Sequence, residues 1–351
     1  MTTQKIGSGT LVLLAFASIY VAFSSVQSLG GLRGKPLLTY QFFPSQHNSR
    51  GLSRMEEYLF PYNGEEPLGN GPSTTMLLGI FSTTGDKFAG RREYIRETYL
   101  AVDDDRICKL EEYKRQMQGG NVDRRCQIAY TFVVGAGGPD RPFDHHEDDT
   151  APIALEMDDI EDADPNGDVT YLNVKENMED GKSTTYMKFG AMMADDYGID
   201  YIAKIDDDSV LAIQILLQFI DDDLPPTPYN RRIYGGTGWA SWAHNHVYAA
   251  GQFYFMSSDL ANYVSNQLTV KDKQGMMHHR HTEDADMGSF IFSHPRPIKF
   301  INLSPYKFWH HPMKTRDEFM EGWKNIVHLP MHGRLLPFFH LCPAWMSGKG
   351  V

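Results

Sequence analysis

Tyr201–Leu211 reads YIAKIDDDSVL: an apolar run of strand character stops at three consecutive aspartates, Asp206, Asp207 and Asp208. Carboxylates this close repel and raise one another's pKa, so the triplet calls for positive charge among them. Acidity alone does not single it out. The chain has 45 acidic against 33 basic residues, net charge −12, and two further triplets at Asp103–Asp105 and Asp221–Asp223. Such runs are ordinarily solvated surface. The same acidity argues against nucleic acid as a partner, which requires a basic face.

Position separates the triplets. TMLLGIFST (Met76–Thr83 its strand), QIAYTFVVGAGG (Gln127–Gly138) and DVTYLNV (Asp168–Val174) read as strands, like YIAKI. GDKFAGRREYIRETYLAV, STTYMKFGAMMADDYG (Ser183–Gly198) and LAIQILLQFI (Leu211–Ile220) read as helices, with Ser183 as a cap. Tyr186, Phe189 and Met193 recur at helical spacing and are expected in the core. Strands alternating with helices predict an α/β domain on a mainly parallel sheet. In such sheets ligands bind outside the carboxyl ends of strands. Asp206–Asp208 stand there, whereas Asp103–Asp105 follow a helix and Asp221–Asp223 lead into Leu224-Pro225-Pro226. Carboxylates in that place suit Mg²⁺ or Mn²⁺ and a bridged diphosphate. An EF-hand is excluded, because Val210 takes the third ligand position and no loop glycine follows.

The rest of the chain organises around this domain. Ile6–Leu32 holds no charge before Arg33, and Thr10–Leu29 as a helix would be ~30 Å long, the thickness of a bilayer's hydrocarbon. A single signal anchor is favoured at 10–29, after a short tail at 1–9. A cleaved signal peptide ending near Ser24, Ser25 or Ser28 is the alternative. Gly, Pro, Asn and Ser mark 30–73 as a stem or linker, with a short helix at Met55–Phe60. The catalytic domain is expected at 74–345 and a tail at 346–351. Of three cysteines, Cys108 and Cys126 could close a disulfide in an oxidising compartment or remain thiols, with Cys342 left over. Asn302-Leu303-Ser304 is an N-glycosylation sequon.

Five segments, in order, carry a resemblance. RREYIRETY (Arg91–Tyr99), TFVVG (Thr131–Gly135), ENMEDGKSTTYMKF (Glu176–Phe189), YIAKIDDDSV and TEDADMG (Thr282–Gly288) resemble the blocks of the β-1,3-galactosyltransferase family, glycosyltransferase family 31. The resemblance covers about Met76–Pro312. It departs at Tyr99, where that family has tryptophan. It departs again at AAGQFYFMS (Ala249–Ser257), which keeps only Gly251 of a glycine-rich segment. The acceptor and the sugar therefore stay open. What the resemblance implies is a GT-A fold, a single-pass Golgi membrane protein with a lumenal catalytic domain, and Mn²⁺-dependent inverting transfer from a UDP-sugar to a glycan or glycoprotein. Galactose is the first expectation and N-acetylhexosamine the second; self-association stays open. A silent glycan-binding protein or folding partner of such an enzyme is the rival from another class.

Site roles follow from the matched positions. Asp208 is the expected metal ligand, with Asp206 and Asp207 supporting the ion, ribose or sugar. Of His310 and His311 in FWHHPMK, His310 is preferred as the second ligand. Arg92 and Arg96, one helical turn apart, could together with Arg91 hold the donor, or could pair with Glu93 and Glu97. Ser82 ends the first strand where a nucleotide would lie. Lys182 and Lys188 could approach the diphosphate, and Lys188 is taken forward. Lys204 is expected to pair with Asp206. From Glu283-Asp284 the general base is assigned to Asp284. GGTGWASWAHNHVY (Gly235–Tyr248) is expected to be a mobile loop presenting Trp239 and Trp242 to sugar.

Overall fold

The computed structural model describes residues 74–119, 126–137, 152–160, 163–176, 181–222, 224–225, 230–241, 246–277, 282–296, 298–303 and 309–327, and the backbone of Tyr40–Phe43. In chain order these form β1 (Tyr40–Phe43), β2 (Met76–Phe81), α1 (Asp86–Arg96), β3 (Ile107–Lys109), α2 (Leu110–Gln118), β4 (Ile128–Gly135), β5 (Ala154–Leu155), β6 (Val169–Leu172), α3 (Lys182–Tyr197), β7 (Tyr201–Asp206), β8 (Val210–Leu211), α4 (Ile213–Asp222), β9 (Ile233–Ser241), β10 (His246–Ser257), α5 (Ser258–Asn262), α6 (Val270–Met276), α7 (Glu283–Phe292), β11 (Ile298–Asn302), β12 (Trp309–His310) and α8 (Arg316–Val327).

The strands read from sequence form the centre. The main sheet runs β1-β11-β9-β10-β7-β2-β4-β6-β5, with β3 also on β4. Its heart, β7-β2-β4-β6, is parallel throughout. A parallel strand covered on both faces should be apolar at every position, and β2 is buried along its whole length. Period two sends Leu77 and Phe81 to one core, with Tyr186, Phe189, Tyr254 and Phe290. It sends Met76, Leu78 and Ile80 to the other, with Leu216, Phe219, Phe253 and Phe255. The helix residues Tyr186, Phe189 and Met193 are buried as expected.

The structure corrects four local readings. Gly181, at φ +95, caps α3, and Ser183 lies inside the helix; only glycine reaches that conformation cheaply. Leu211 belongs to β8, and the helix starts at Ile213. The stretch expected as a mobile loop is largely a hairpin, β9 against β10, pairing Trp239 with Tyr248. Its glycines make room rather than turns: a Cβ on Gly235 would stand 2.3 Å from the Phe255 ring. Finally, YQFF within the expected stem is β1, which covers the edge of β11, an edge that would otherwise offer unpaired backbone.

Cys108 and Cys126 are disulfide-bonded, tying β3 to the approach to β4. Asn302 of the sequon accepts the Gly238 amide at 3.0 Å. No helix among the described residues is long and apolar enough to cross a membrane. The span at 10–29, the stem helix at 55–60, Trp242, Ser304, Cys342 and the tail at 346–351 lie outside the described residues.

One close approach holds α3 on the sheet. The Tyr186 ring lies over Gly79, where a Cβ would meet it at 2.3 Å. Its hydroxyl donates to the Ala203 carbonyl at 2.9 Å, and its ring meets Phe81 edge-on at 5.3 Å. Gly79→Ala should therefore cost about 1–3 kcal/mol by overpacking. Urea unfolding should show a lower midpoint at unchanged slope; an unchanged midpoint would mean that α3 can shift freely.

Candidate functional site

The acidic tip is built by the end of the parallel sheet. The Asp207 amide donates to the Phe81 carbonyl at 3.0 Å, extending the β7–β2 ladder by one residue, and Ser209 N turns back to Asp206 O at 3.1 Å. The following β8 pairs antiparallel with β12. Met313 N donates to Asp208 O at 2.7 Å, so the segment after β12 lies on the turn.

Each aspartate meets a different basic side chain. Asp206 Oδ1 is 3.0 Å from Lys204 Nζ, Asp207 Oδ1 accepts Arg91 Nη1 at 2.8 Å, and Asp208 Oδ1 is 3.3 Å from His311 Nε2. Burial pushes the Asp206 carboxyl up despite Lys204, and pushes Asp207 up despite Ser82 and Arg91. Asp208 is also raised by burial, but His311 and Arg91 outweigh it and hold this carboxyl below its ordinary value. Asp207 is 6% exposed, whereas the Asp208 and His311 side chains remain 24% and 26% exposed.

Lys204 extends the cluster. Its buried ammonium also meets Glu283 Oε2 at 3.0 Å and the Gly251 carbonyl at 3.1 Å. Burial works against its charge, yet Asp206 and Glu283 raise its pKa above the usual lysine value. Glu283 Oε1 accepts the Tyr254 hydroxyl at 2.8 Å. Beside it, Asp284 accepts Gly251 N on Oδ2 at 3.0 Å and Ala285 N on Oδ1 at 2.9 Å. Burial and the Glu283 charge raise the Asp284 pKa.

Next to the tip, a cleft of about 930 Å³ opens beyond the carboxyl ends of β2 and β4. Thr83, Thr84 and Gly85 line one side, Gly135, Ala136 and Glu176 another, and Arg92 reaches in from α1. Arg92 is held by Asp164 at 2.9 Å, the Thr83 carbonyl at 3.0 Å and Ser82 Oγ at 3.3 Å. Lys182, 2% exposed, donates to the Ser82 carbonyl and to Glu176 at 2.8 Å. Glu176 in turn accepts the Gly135 amide at 2.7 Å.

The structure brings together Ser82, Arg92, Asp206, Asp207 and Asp208, with Asp284 joined through Gly251 and Lys204. It redirects three expectations. Arg96 is locked by Asp168 and Asp164 and stacked 4.9 Å from Phe132, and it does not line the cleft. Lys182, rather than Lys188 six residues along α3, occupies the strand ends. Among the described side chains it is His311 that meets Asp208; His310 sits opposite Val210 in β12, and its side chain is outside the described residues. Arg91 was missed as the partner of Asp207. The signal available was RR: adjacent helical positions point ~100° apart, so one arginine can face the tip while the next faces the cleft.

Among the described residues no group of three or more His, Cys, Asp or Glu side chains gathers as a cage for a metal. A smaller donor set is present. With Asp206 and Asp207 tied to Lys204 and Arg91, Asp208 and His311 remain as a partly exposed carboxylate–imidazole pair 3.3 Å apart. Neighbouring donors on an octahedral ion at ~2.1 Å stand about 3 Å apart, so the spacing of this pair fits two positions of such an ion. No known family model and no curated protein matches the chain.

The Asp164 carboxylate that holds Arg92 yields a pH test. Burial pushes Asp164 up, but Asn166, Arg92 and Arg96 bring it down to about 2. The stability contributed by this depressed carboxyl is complete above its unfolded pKa of ~3.9 and is lost as pH falls toward 2. Asp164→Asn should lose about 3 kcal/mol at neutral pH and show a shallower loss between pH 4 and 2. Urea midpoints measured across pH 2–7 check this; parallel curves for both proteins would remove Asp164 from the acid limb.

Proposed function

We propose that the chain is a cation-dependent inverting glycosyltransferase with a GT-A-like fold. It moves a hexose, galactose foremost, from a UDP-sugar to a glycan hydroxyl in β-1,3 linkage. The N-terminal apolar span anchors it in the Golgi membrane with the catalytic domain in the lumen. The observation that carries this reading is the partly exposed Asp208–His311 pair at the carboxyl end of β7, beside a cleft into which Arg92 projects. This is where an α/β sheet binds a nucleotide-bearing ligand, and it coincides with the motif resemblance.

Asp208 and His311 would hold Mn²⁺ or Mg²⁺. When bound, the ion supplies a Lewis acid for the leaving diphosphate. Arg92 offers its guanidinium to donor oxygens in the cleft, with Asp164 and Thr83 fixing its plane. Ser82 sits between Asp207 and Arg92 and keeps both oriented. Asp284 acts as general base: it takes the proton of the attacking hydroxyl while that oxygen bonds to the anomeric carbon and the bond to diphosphate breaks. The Gly251 and Ala285 amides fix its two oxygens. Its raised pKa makes it a stronger proton acceptor than an exposed aspartate.

Turnover of several UDP-sugars, measured with Mn²⁺ and with EDTA, tests the reading. Expected are EDTA-sensitive release of UDP and cation-dependent UDP binding by calorimetry. Asp208→Asn should lose both. Asp284→Asn should lower kcat by about 10²–10⁴-fold while UDP affinity holds within about twofold. The acid limb of wild-type kcat should lie above the ordinary aspartate range, because the base must be ionised and its pKa is raised. The absence of any cation-dependent UDP affinity in the folded wild type would overturn the proposal. Preference for an N-acetylhexosamine donor would reassign the sugar.

A further inference from the structure

We infer that Lys204 is a positioning residue for the base: it ties Asp284 to the acidic tip, so that donor site and base are held as one unit. This rests on the transferase reading above. It goes beyond that reading in giving a role to a buried cation that touches neither donor nor acceptor.

The geometry is a closed chain of contacts. One ammonium, 3% exposed, is shared by Asp206 of the tip, by Glu283 at the start of α7, and by the carbonyl of Gly251. Gly251 is gripped at its other end as well, since its amide donates to Asp284. Thus one residue of β10 has its carbonyl on Lys204 and its N–H on the base. The ammonium is further enclosed by the Phe81 ring at 5.1 Å and the Tyr254 ring at 5.5 Å. Three elements that are distant in sequence, β7, β10 and α7, therefore meet on one charge.

Removing that charge has a specific consequence. Glu283 would keep its Tyr254 hydrogen bond but lose its counter-ion beside Asp284, and Gly251 would lose the contact that fixes its carbonyl. Among the described residues, the charged and titratable groups acting on Asp284 are Glu283, Lys204, Tyr234 and Tyr248. Lys204 is the cation among them. Its loss moves the base carboxylate in position and leaves it beside an uncompensated neighbour; Asp206 loses its cation as well, while Asp208 keeps its contact with His311 and Arg92 keeps Asp164. A residue that merely stabilised the fold would not separate the two halves of the site in this way.

The test uses Lys204→Met and the double variant Lys204→Met/Glu283→Gln in the full-length protein. Expected for Lys204→Met is a fall in kcat of about a hundredfold or more, with Mn²⁺-dependent UDP affinity by calorimetry held within about threefold. Carbon-13 NMR titration of the Asp284 carboxyl, without metal or substrate, should show its midpoint moved to higher pH than in the wild type. Of the two carboxylates left without their cation, Asp206 and Glu283, the double variant removes the one beside Asp284, and it should recover part of kcat and return the midpoint toward the wild-type value. Wild-type kcat in Lys204→Met, or an unmoved Asp284 midpoint, would overturn the inference while leaving the transferase reading intact. Equal losses of kcat and of UDP affinity, unrelieved in the double variant and matched by a lowered melting temperature, would reduce Lys204 to a fold-stabilising residue. A wild type with no UDP affinity or turnover would remove the reading on which the inference stands.

Discussion

Three adjacent carboxylates at the end of a buried strand cannot stand uncompensated, and this constraint shapes the molecule around them. The chain answers with three basic partners from three places: Lys204 from the same strand, Arg91 from α1, and His311 from the segment after β12. At an effective dielectric near 20, the lysine and arginine contacts at about 3 Å each gain about 5 kcal/mol of Coulomb energy. Desolvating each ion costs several kcal/mol in return. Gain and cost nearly cancel, so these pairs fix where the carboxylates point more than they stabilise the domain. The two more deeply buried aspartates, Asp206 and Asp207, have permanently charged partners, and the most exposed of the three faces a histidine. An imidazole can repel an incoming cation when protonated or ligate it when neutral. The division leaves Asp208 as the chemically available member of a triplet whose residues are identical in sequence.

The parallel centre of the fold was legible because its strands obey simple rules. β2, β4 and β7 are apolar at nearly every position and end at glycine or at polar residues, as strands covered on both faces should. The hairpin was not legible. GGTGWAS looks like a loop by composition, and nothing local reveals that its glycines lie beneath the rings of Phe255 and Phe300. That fact belongs to the partner strand and the opposite face. The cap of α3 failed for a similar reason: Ser183 has the chemistry of a cap, but the backbone enters the helix through Gly181 at a positive φ.

At the site, residue types were read more surely than residue choices. The aspartates, Glu283-Asp284, a histidine of the HH pair and an arginine of the RR pair were all singled out. Selecting within each pair requires geometry that sequence does not carry. The choice of His311 over His310 depends on the β12–β8 register, which places His310 opposite Val210 and puts the next residue beside the turn. Lys182 and Lys188 share one helix, yet six residues turn the side chain by ~240° and move it ~9 Å along the axis. Only the first reaches Ser82 and Glu176. The predicted Lys204–Asp206 pair was accessible, because residues two apart on a strand share a face.

The antiparallel strand at the centre of the sheet explains why the tip and the Glu283-Asp284 pair can meet. A parallel neighbour of β7 would end where β7 ends, and its crossover would carry the chain away over one face. β10 runs the other way, with Phe253 opposite Ile205, so Gly251 lies beyond the last paired residue and level with the aspartates. Its backbone there is free of ladder partners on β7. It can therefore give its carbonyl to Lys204 and its amide to Asp284. The α7 helix, packed on β10 through Phe290 and Phe292, then brings Glu283 and Asp284 to the tip from the opposite side to α1. Reversing one strand direction thus converts a generic strand-end ligand site into one flanked by a second pair of carboxylates. The acid–base step proposed for this site would draw on that second pair.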